Sequence, residues 1–236
     1  MKPSKRIVIT GSQGSLGKIL QEGLRDTFNL LCIDKVSDSK KTLVLDVVKD
    51  YEKFKDILKD NDIIIHLAWN ILEDYPNENI VQENKILAEN VFRAAAKKNV
   101  SRIIIASSVH ANDYSKIPTG IYISPKSECW PDTPYGATKI YIEHLGRYYS
   151  MKHGFEVICV RFGGVNKRNE IRLNEDPLYD KVLLYKEDFL RLMKMCIKVK
   201  KVPNNFTVFN AVSNIKGRVH ALNNFLGWQP DFPNKK

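Results

Sequence analysis

The chain has 236 residues, 43% of them hydrophobic, which suits one domain with a single large core. Its net charge of +10 comes from lysines interleaved with Asp and Glu, so we interpret it as a solvated surface and expect no nucleic-acid partner. The chain also has four scattered cysteines without a Cys-x-x-Cys pair, no signal peptide and no apolar segment of membrane-spanning length. These features predict a cytoplasmic protein with no metal site and no membrane partner.

The first predicted strand, residues 7–9, ends in a glycine-rich turn that leads into a helical pattern. Gly11, Gly14 and Gly17 lie in this turn. Such a turn lets the backbone approach a pyrophosphate, which then lies at the positive end of the helix dipole. The spacing differs from the Gly-x-Gly-x-x-Gly of the standard dinucleotide fingerprint, and similar turns occur in βα units that bind nothing.

The second predicted strand, residues 30–34, ends at an acid. Asp34 lies about 20 residues beyond Gly14, where a carboxylate binds the adenosine ribose hydroxyls in a dinucleotide-binding fold. Because a carboxylate repels a 2′-phosphate, Asp34 favours NAD over NADP. Lys35 is a neighbouring cation that softens this preference.

Strands and helices continue to alternate without an internal repeat. We predict strands over 42–45, 63–68, 102–106, 156–160 and 207–210, and helices over 51–58, 80–98, 135–151 and 186–198. The fully apolar strands are typical of a parallel sheet that is covered on both faces. The pattern predicts an α/β fold with a doubly wound parallel sheet, a single domain over 1–236, in which residues 162–236 contribute a small substrate-binding lobe.

A Tyr-x-x-x-Lys pattern places a phenol and an ammonium on one helix face. The ammonium favours the phenolate, which exchanges a proton with an alcohol or carbonyl while hydride moves to or from a nicotinamide. The pattern occurs at Tyr51/Lys55, Tyr122/Lys126, Tyr135/Lys139 and Tyr148/Lys152. Only Tyr135/Lys139 begins a helix after a proline-containing turn, with a strand-terminal Ser-Ser upstream. We therefore predict Tyr135 and Lys139 as the catalytic pair, with Ser108 orienting the same oxygen.

Together these motifs resemble the extended short-chain dehydrogenase/reductase family, in its branch of NAD-dependent epimerases and dehydratases. The matching motifs are Thr10-Gly-x-x-Gly-x-x-Gly17, Asp34, Asp46-Val47, His66-Leu67-Ala68, Asn84, Ser107-Ser108, Tyr135-Gly-Ala-Thr-Lys139 and a terminal Leu-Gly-Trp-x-Pro. The resemblance implies a Rossmann fold, bound NAD(H) or NADP(H), and a homodimer paired through residues 80–98 and 135–151.

The resemblance also implies roles for individual side chains. Tyr135 is the acid/base, Lys139 holds the cofactor ribose and tunes Tyr135, and Ser108 contacts the reacting oxygen. The expected cofactor contacts are Gly11, Gln13, Gly14, Ser15, Leu16, Gly17, Asp34, Lys35, Asp46, Val47, Leu67, Ala68, Trp69, Asn84, Ser107, Tyr135, Lys139 and Phe162.

Within that branch the chain is most similar to uronate dehydrogenases, which oxidise the C1 hydroxyl of a hexuronic acid to a lactone. The likeness rests on Ser107-Ser108-Val109-His110, Arg147-Tyr148-Tyr149 and Arg161-Phe162-Gly163. The implied substrate contacts are Ser108, Val109, His110 and Arg172, with Arg168 as a second choice for the carboxylate-binding arginine. Val109 stands where an Asn is expected, and Trp69 is bulky for its place. The likeness therefore supports the expected cofactor and reaction type more strongly than it supports the expected substrate.

Three functions stay open at this point. The first is an NAD-dependent oxidoreductase acting on a sugar or sugar acid. The second is a nucleotide-sugar epimerase or dehydratase with tightly bound NAD, against which the short C-terminal part counts. The third is a non-catalytic NAD-sensing scaffold, and the intact set of Ser108, Tyr135 and Lys139 argues against it.

Overall fold

The computed structural model describes residues 5–37, 41–70, 78–118, 120–166 and 181–232. The strands are β1 (Arg6–Thr10), β2 (Asn29–Asp34), β3 (Thr42–Val44), β4 (Ile63–His66), β5 (Arg102–Ser108), β6 (Glu156–Phe162), β7 (Gly164–Asn166), β8 (Leu183–Tyr185) and β9 (Phe206–Ala211). The helices are α1 (Ser15–Leu24), α2 (Tyr51–Ile57), α3 (Glu78–Lys97), α4 (Pro134–His153) and α5 (Lys186–Lys198). Every helix and strand predicted from the sequence is present, with ends within two residues of those predicted.

The main sheet of the described chain has seven parallel strands in the order β3-β2-β1-β4-β5-β6-β9. The first six follow the 3-2-1-4-5-6 order of the Rossmann fold, in which the direction of winding reverses beside β1. The predicted doubly wound parallel sheet is therefore confirmed.

The sheet is covered by helices on both faces, which explains why its strands are apolar throughout. On β5, Ile104 packs in one core with residues of α1 and α5. Its neighbours Ile103 and Ile105 pack on the opposite face with residues of α2, α3 and α4. All three side chains are fully buried, and each burial contributes about 1.5–3 kcal/mol to folding.

The C-terminal part of the chain is built partly into the main sheet and core. Strand β9 pairs with β6 in the main sheet, and α5 packs in the core beside α1. Strands β7 and β8, which the sequence did not predict, form a second two-stranded parallel sheet. That residues 162–236 contribute to substrate binding stays a prediction. Among the described helices, none combines the length and hydropathy needed to cross a bilayer.

Candidate active site

A cavity of about 500 Å³ opens at the carboxyl ends of β1, β2 and β4. This is the edge of a doubly wound sheet at which ligands bind, at the point where the strand order reverses. Residues expected from the sequence to contact a cofactor line much of this cavity. They are Gly11, Gln13, Gly14, Asp34, Lys35, Asp46, Val47, Leu67, Ala68 and Trp69.

The three glycines of the β1–α1 turn have different local roles. Gly11 has φ +72°, and a Cβ there would lie 2.5 Å from the backbone N of Ala68. A Cβ on Gly17 would lie 2.4 Å from the Gly11 carbonyl oxygen, so close packing excludes a side chain at both positions. Gly14 is exposed, and a Cβ there would have only the Gly11 oxygen nearby, at 3.4 Å. The turn is thus open to solvent at Gly14, which lines the cavity and precedes α1. A pyrophosphate fits this position.

Asp34, at the end of β2, is fixed against the same turn. Its Oδ2 accepts a hydrogen bond from the backbone N of Gln13 at 2.8 Å, and its Oδ1 accepts one from Val36 N at 3.3 Å. Lys35 turns away from this carboxylate, because its Nζ donates to Asn70 Oδ1 at 2.9 Å. The carboxylate therefore lines the cavity without an ion pair to its neighbour, an arrangement that fits ribose hydroxyls.

Ser108, Tyr135 and Lys139 come together at the carboxyl end of β5. Tyr135 lies in the first turn of α4, and its phenol shares a hydrogen bond with the Ser108 hydroxyl. Lys139 follows one helical turn later, and its buried Nζ donates to the Ala106 carbonyl at 2.8 Å. The same Nζ lies 4.3 Å from the centre of the Trp69 ring and 5.5 Å from that of Tyr135. Trp69, which lines the cavity, thus covers the ammonium.

Burial acts against the charged forms of both Tyr135 and Lys139. It raises the pKa of the Tyr135 phenol, and the hydrogen bond from Ser108 lowers that pKa in part. Burial also lowers the pKa of Lys139 to about 7, while the negative charge of Glu143 raises it. Glu143, which lies one further turn along α4, therefore favours the ammonium form of Lys139.

Glu143 was not expected from the sequence, and its carboxylate accepts hydrogen bonds in a buried network next to Lys139 on α4. Arg161 donates to its carboxylate through Nε and Nη2, each at 2.8 Å. Ser107 also donates to Glu143, and its side chain points to the opposite face from that of Ser108, as neighbours on a strand do. The cofactor contact of Ser107 stays a prediction. Residues 135, 139 and 143 share one helix face, and this spacing is the signal in the sequence that could have revealed Glu143.

Other predicted residues have structural contacts of their own. Asn84 is buried, accepts a hydrogen bond from Asn70 N at 2.8 Å and donates to Asn70 O at 3.0 Å. Phe162 packs edge-on against Phe189, and Val109 is buried in the core. Ser15 and Leu16 begin α1 next to the open side of the turn. Arg168 and Arg172 lie outside the described residues.

His110 follows Ser108 closely and lies at the same edge. Its backbone N donates to Ser108 Oγ at 3.2 Å, and its ring is 6.0 Å from that of Tyr135. Across the described residues, no three His, Cys, Asp or Glu side chains come together as a metal site. The arrangement therefore offers a phenol, a hydroxyl, an imidazole and an ammonium at the carboxyl end of β5, where Lys139 contacts Trp69, a residue that lines the cavity.

Two buried histidines make the stability of the protein sensitive to acid. Burial lowers the pKa of His66 to about 3, helped by the charge of Lys139, and lowers that of His220 to about 4. An unfolded chain has imidazoles with pKa values of about 6.5, so from that pH down to about 4 the unfolded chain binds more protons. We expect the free energy of unfolding to fall as pH falls in this window, by up to about 1.4 kcal/mol per pH unit for each histidine.

Urea denaturation at a series of pH values checks this expectation. Among the described residues neither ring nitrogen of His220 has a hydrogen-bond partner, so His220→Phe removes the titration without breaking a polar contact. This variant should lose less stability between pH 6.5 and 4.5 than the parent protein. Parallel pH dependences of the two proteins would contradict the assignment to His220.

Comparison with known proteins identifies the family of the chain. The model of the NAD dependent epimerase/dehydratase family matches residues 7–166. The L-arabinose 1-dehydrogenase (NAD(P)(+)) of Haloferax volcanii is 27% identical over 72% of this chain and 71% of that protein. The uronate dehydrogenase of Agrobacterium fabrum is 28% identical over 96% of this chain and 84% of that protein.

A solved structure extends the comparison to three dimensions. A mutant uronate dehydrogenase from Agrobacterium tumefaciens, complexed with NAD, has a TM-score of 0.81 and 26% identity, over 96% of this chain and 84% of that chain. The family predicted from the motifs is therefore confirmed, and with it the prediction of an NAD(P)-dependent enzyme. The chain belongs to the NAD dependent epimerase/dehydratase family.

Proposed function

We propose that the protein is an NAD-dependent dehydrogenase that oxidises a hydroxyl group of a sugar or sugar acid, as uronate dehydrogenases do. The observation that carries this proposal is the convergence of Ser108, Tyr135 and Lys139 at the end of β5, where Lys139 contacts Trp69, which lines the same cavity as Asp34. The similarity to dehydrogenases of L-arabinose and of uronates supports the substrate class.

The described residues suggest how the chain binds the cofactor and moves a proton. The turn at Gly14 and the Asp34 carboxylate would hold NAD, which supplies the hydride acceptor when bound. Ser108 donates its hydrogen bond to the reacting oxygen and fixes its position. Tyr135, as the phenolate, accepts the proton of the substrate hydroxyl. The Lys139 ammonium stabilises that phenolate by Coulombic attraction in a site from which water is largely excluded.

The preference for NAD over NADP is part of the proposal. Both oxygens of Asp34 accept backbone hydrogen bonds, so this carboxylate cannot swing away from a 2′-phosphate. The bond from Lys35 to Asn70 supports the preference, because it holds the nearest cation away from the carboxylate.

We also propose a homodimer paired through α3 and α4, working in the cytoplasm. Tyr148 and Met151 on α4 are 52% and 78% exposed, which supports an interface on this helix. The free thiols of Cys32, Cys129, Cys159 and Cys196 support a reducing compartment.

The test is an absorbance assay for reduced nicotinamide with the purified protein, NAD or NADP, and a panel of free uronates, neutral sugars and UDP-sugars. We expect NADH to form with a free uronate, and more efficiently than NADPH. Isomerised UDP-sugar without net NADH would instead identify an epimerase with bound cofactor. Failure of the protein to bind either cofactor would contradict the site built on the glycine turn.

A further inference from the structure

The turn that follows β5 places His110 between the catalytic residues and an acid that the sequence did not single out. The backbone N of His110 donates to Ser108 Oγ at 3.2 Å. Its backbone carbonyl abuts the first turn of α4, since a Cβ on Gly136 would lie 2.0 Å from that oxygen. The imidazole meets the Tyr135 ring edge-on, at 6.0 Å between centres. His110 is therefore held in place at both of its backbone groups.

The His110 side chain is fixed from one side by Asp132. The Nδ1 atom lies 3.0 Å from Asp132 Oδ1 and 2.9 Å from Oδ2. Asp132 is an exposed residue whose side chain is 18% exposed, and it accepts a hydrogen bond from Thr133 Oγ1 at 3.1 Å. Thr133 caps α4 by accepting from Gly136 N at 3.0 Å. A continuous chain of hydrogen bonds thus links the start of the helix that carries Tyr135 to the imidazole.

We propose that Asp132 is a positioning residue that fixes His110 in the Nδ1–H tautomer, so that Nε2 accepts a hydrogen bond from a second hydroxyl of the substrate. This inference rests on the proposed function, and it adds the group on the substrate that the site recognises.

The tautomer follows from the chemistry of the partner. A carboxylate can only accept hydrogen bonds, so the nitrogen facing Asp132 must carry the proton. In a neutral imidazole the other nitrogen then has a lone pair and no hydrogen.

A lone pair at Nε2 determines which substrate groups can bind next to His110. It attracts the hydrogen of a hydroxyl and repels the oxygen of a carboxylate. Because His110 lies next to Ser108 and Tyr135, which act on the reacting oxygen, the hydroxyl in question is on a carbon near the reacting one. The carboxylate of a uronate must then be bound by other residues. The site is therefore selective for a substrate with at least two hydroxyls.

The first measurement is a long-range ¹H–¹⁵N spectrum of the imidazoles in the protein without substrate. The chain has five histidines, and loss of one signal in His110→Gln assigns His110. We expect the Nδ1–H tautomer in the parent protein and in Asp132→Glu, and a shift towards Nε2–H in Asp132→Ala. The matched control is Asp113→Ala, which removes a nearby carboxylate paired with Lys116 and should leave the spectrum of His110 unchanged. An Nε2–H tautomer in the parent, or an unchanged tautomer in Asp132→Ala, would overturn the proposal whether or not the protein oxidises sugars.

The second measurement uses monodeoxyfluoro analogues of the uronate, because fluorine cannot donate a hydrogen bond. In the parent protein one analogue should lose about tenfold in kcat/KM, and in Asp132→Ala the loss at that position should fall to about twofold or less. Asp132→Glu should restore the discrimination, and melting temperatures show that each variant is folded. Equal losses in the parent and in Asp132→Ala would refute the role of Asp132 while leaving the dehydrogenase proposal intact.

Discussion

Replacing Tyr135 with Phe is expected to lower the rate of uronate-dependent NADH formation by about a hundred- to ten-thousand-fold, the usual contribution of a positioned acid/base group. The variant keeps the ring that packs at the start of α4 and loses only the hydroxyl that hydrogen-bonds to Ser108. NAD should still bind, since the cavity at the ends of β1 and β2 is untouched. Initial-rate absorbance measurements give the loss of rate, and calorimetric titration with NAD shows whether the cofactor still binds.

The chain supplies its own control for this experiment. Tyr148 and Lys152 repeat the Tyr-x-x-x-Lys spacing on the same helix, with Lys152 Nζ donating to the Tyr148 hydroxyl at 2.9 Å. Both lie on the exposed side of α4, away from β5. Tyr148→Phe should leave the rate unchanged. Similar losses in the two variants would mean that Tyr135 is not the acid/base.

The second large effect is expected at Gly11. Gly11→Ala combines a left-handed φ of +72° with a Cβ that would lie 2.5 Å from the N and 2.6 Å from the Cα of Ala68. Strain and overpacking together should destabilise the protein by about 3 kcal/mol, because the contacted atoms are backbone and cannot turn aside. The displaced turn and the displaced Ala68 both line the cavity, so NAD affinity should fall as well. Urea denaturation and NAD titration measure the two losses.

Gly154→Ala is a control that introduces the backbone strain of a positive φ without the steric clash expected at Gly11. Gly154 ends α4 with φ +79°, close to the φ of Gly11, but a Cβ there has nothing within 4 Å. It should cost only about 1 kcal/mol and leave NAD binding unchanged. If both variants lose the same stability, the close approach of the β1 turn to Ala68 does not matter energetically.

Much of this architecture could be predicted because it depends on local signals. The apolar strands, the glycine turn and the acid after β2 are each encoded within a few residues. Of the four Tyr-x-x-x-Lys matches, the order of strands and helices favoured Tyr135 and Lys139, and the structure brings these two together with Ser108. Their catalytic role stays a prediction.

The parts that the sequence did not predict depend on contacts between distant segments. The bond from Ser107 to Glu143 joins residues 36 apart, and that from His110 to Asp132 joins residues 22 apart. A lone Asp in a proline-containing turn carries no local sign that it will face an imidazole. Strands β7 and β8 pair with each other in a sheet of their own, and this contact between distant segments leaves no local sign in the sequence.

The position of Trp69 gives the protein an optical property. The chain has three tryptophans: Trp69 lines the cavity, Trp130 is 66% exposed and Trp228 is fully buried. Reduced nicotinamide absorbs light at the wavelengths that indoles emit, so NADH bound in the cavity would quench Trp69 by energy transfer. An external quencher such as iodide would quench the exposed Trp130 and would not reach the buried Trp228. The three tryptophans of the unlabelled protein thus report on three environments: the cavity, the surface and the core.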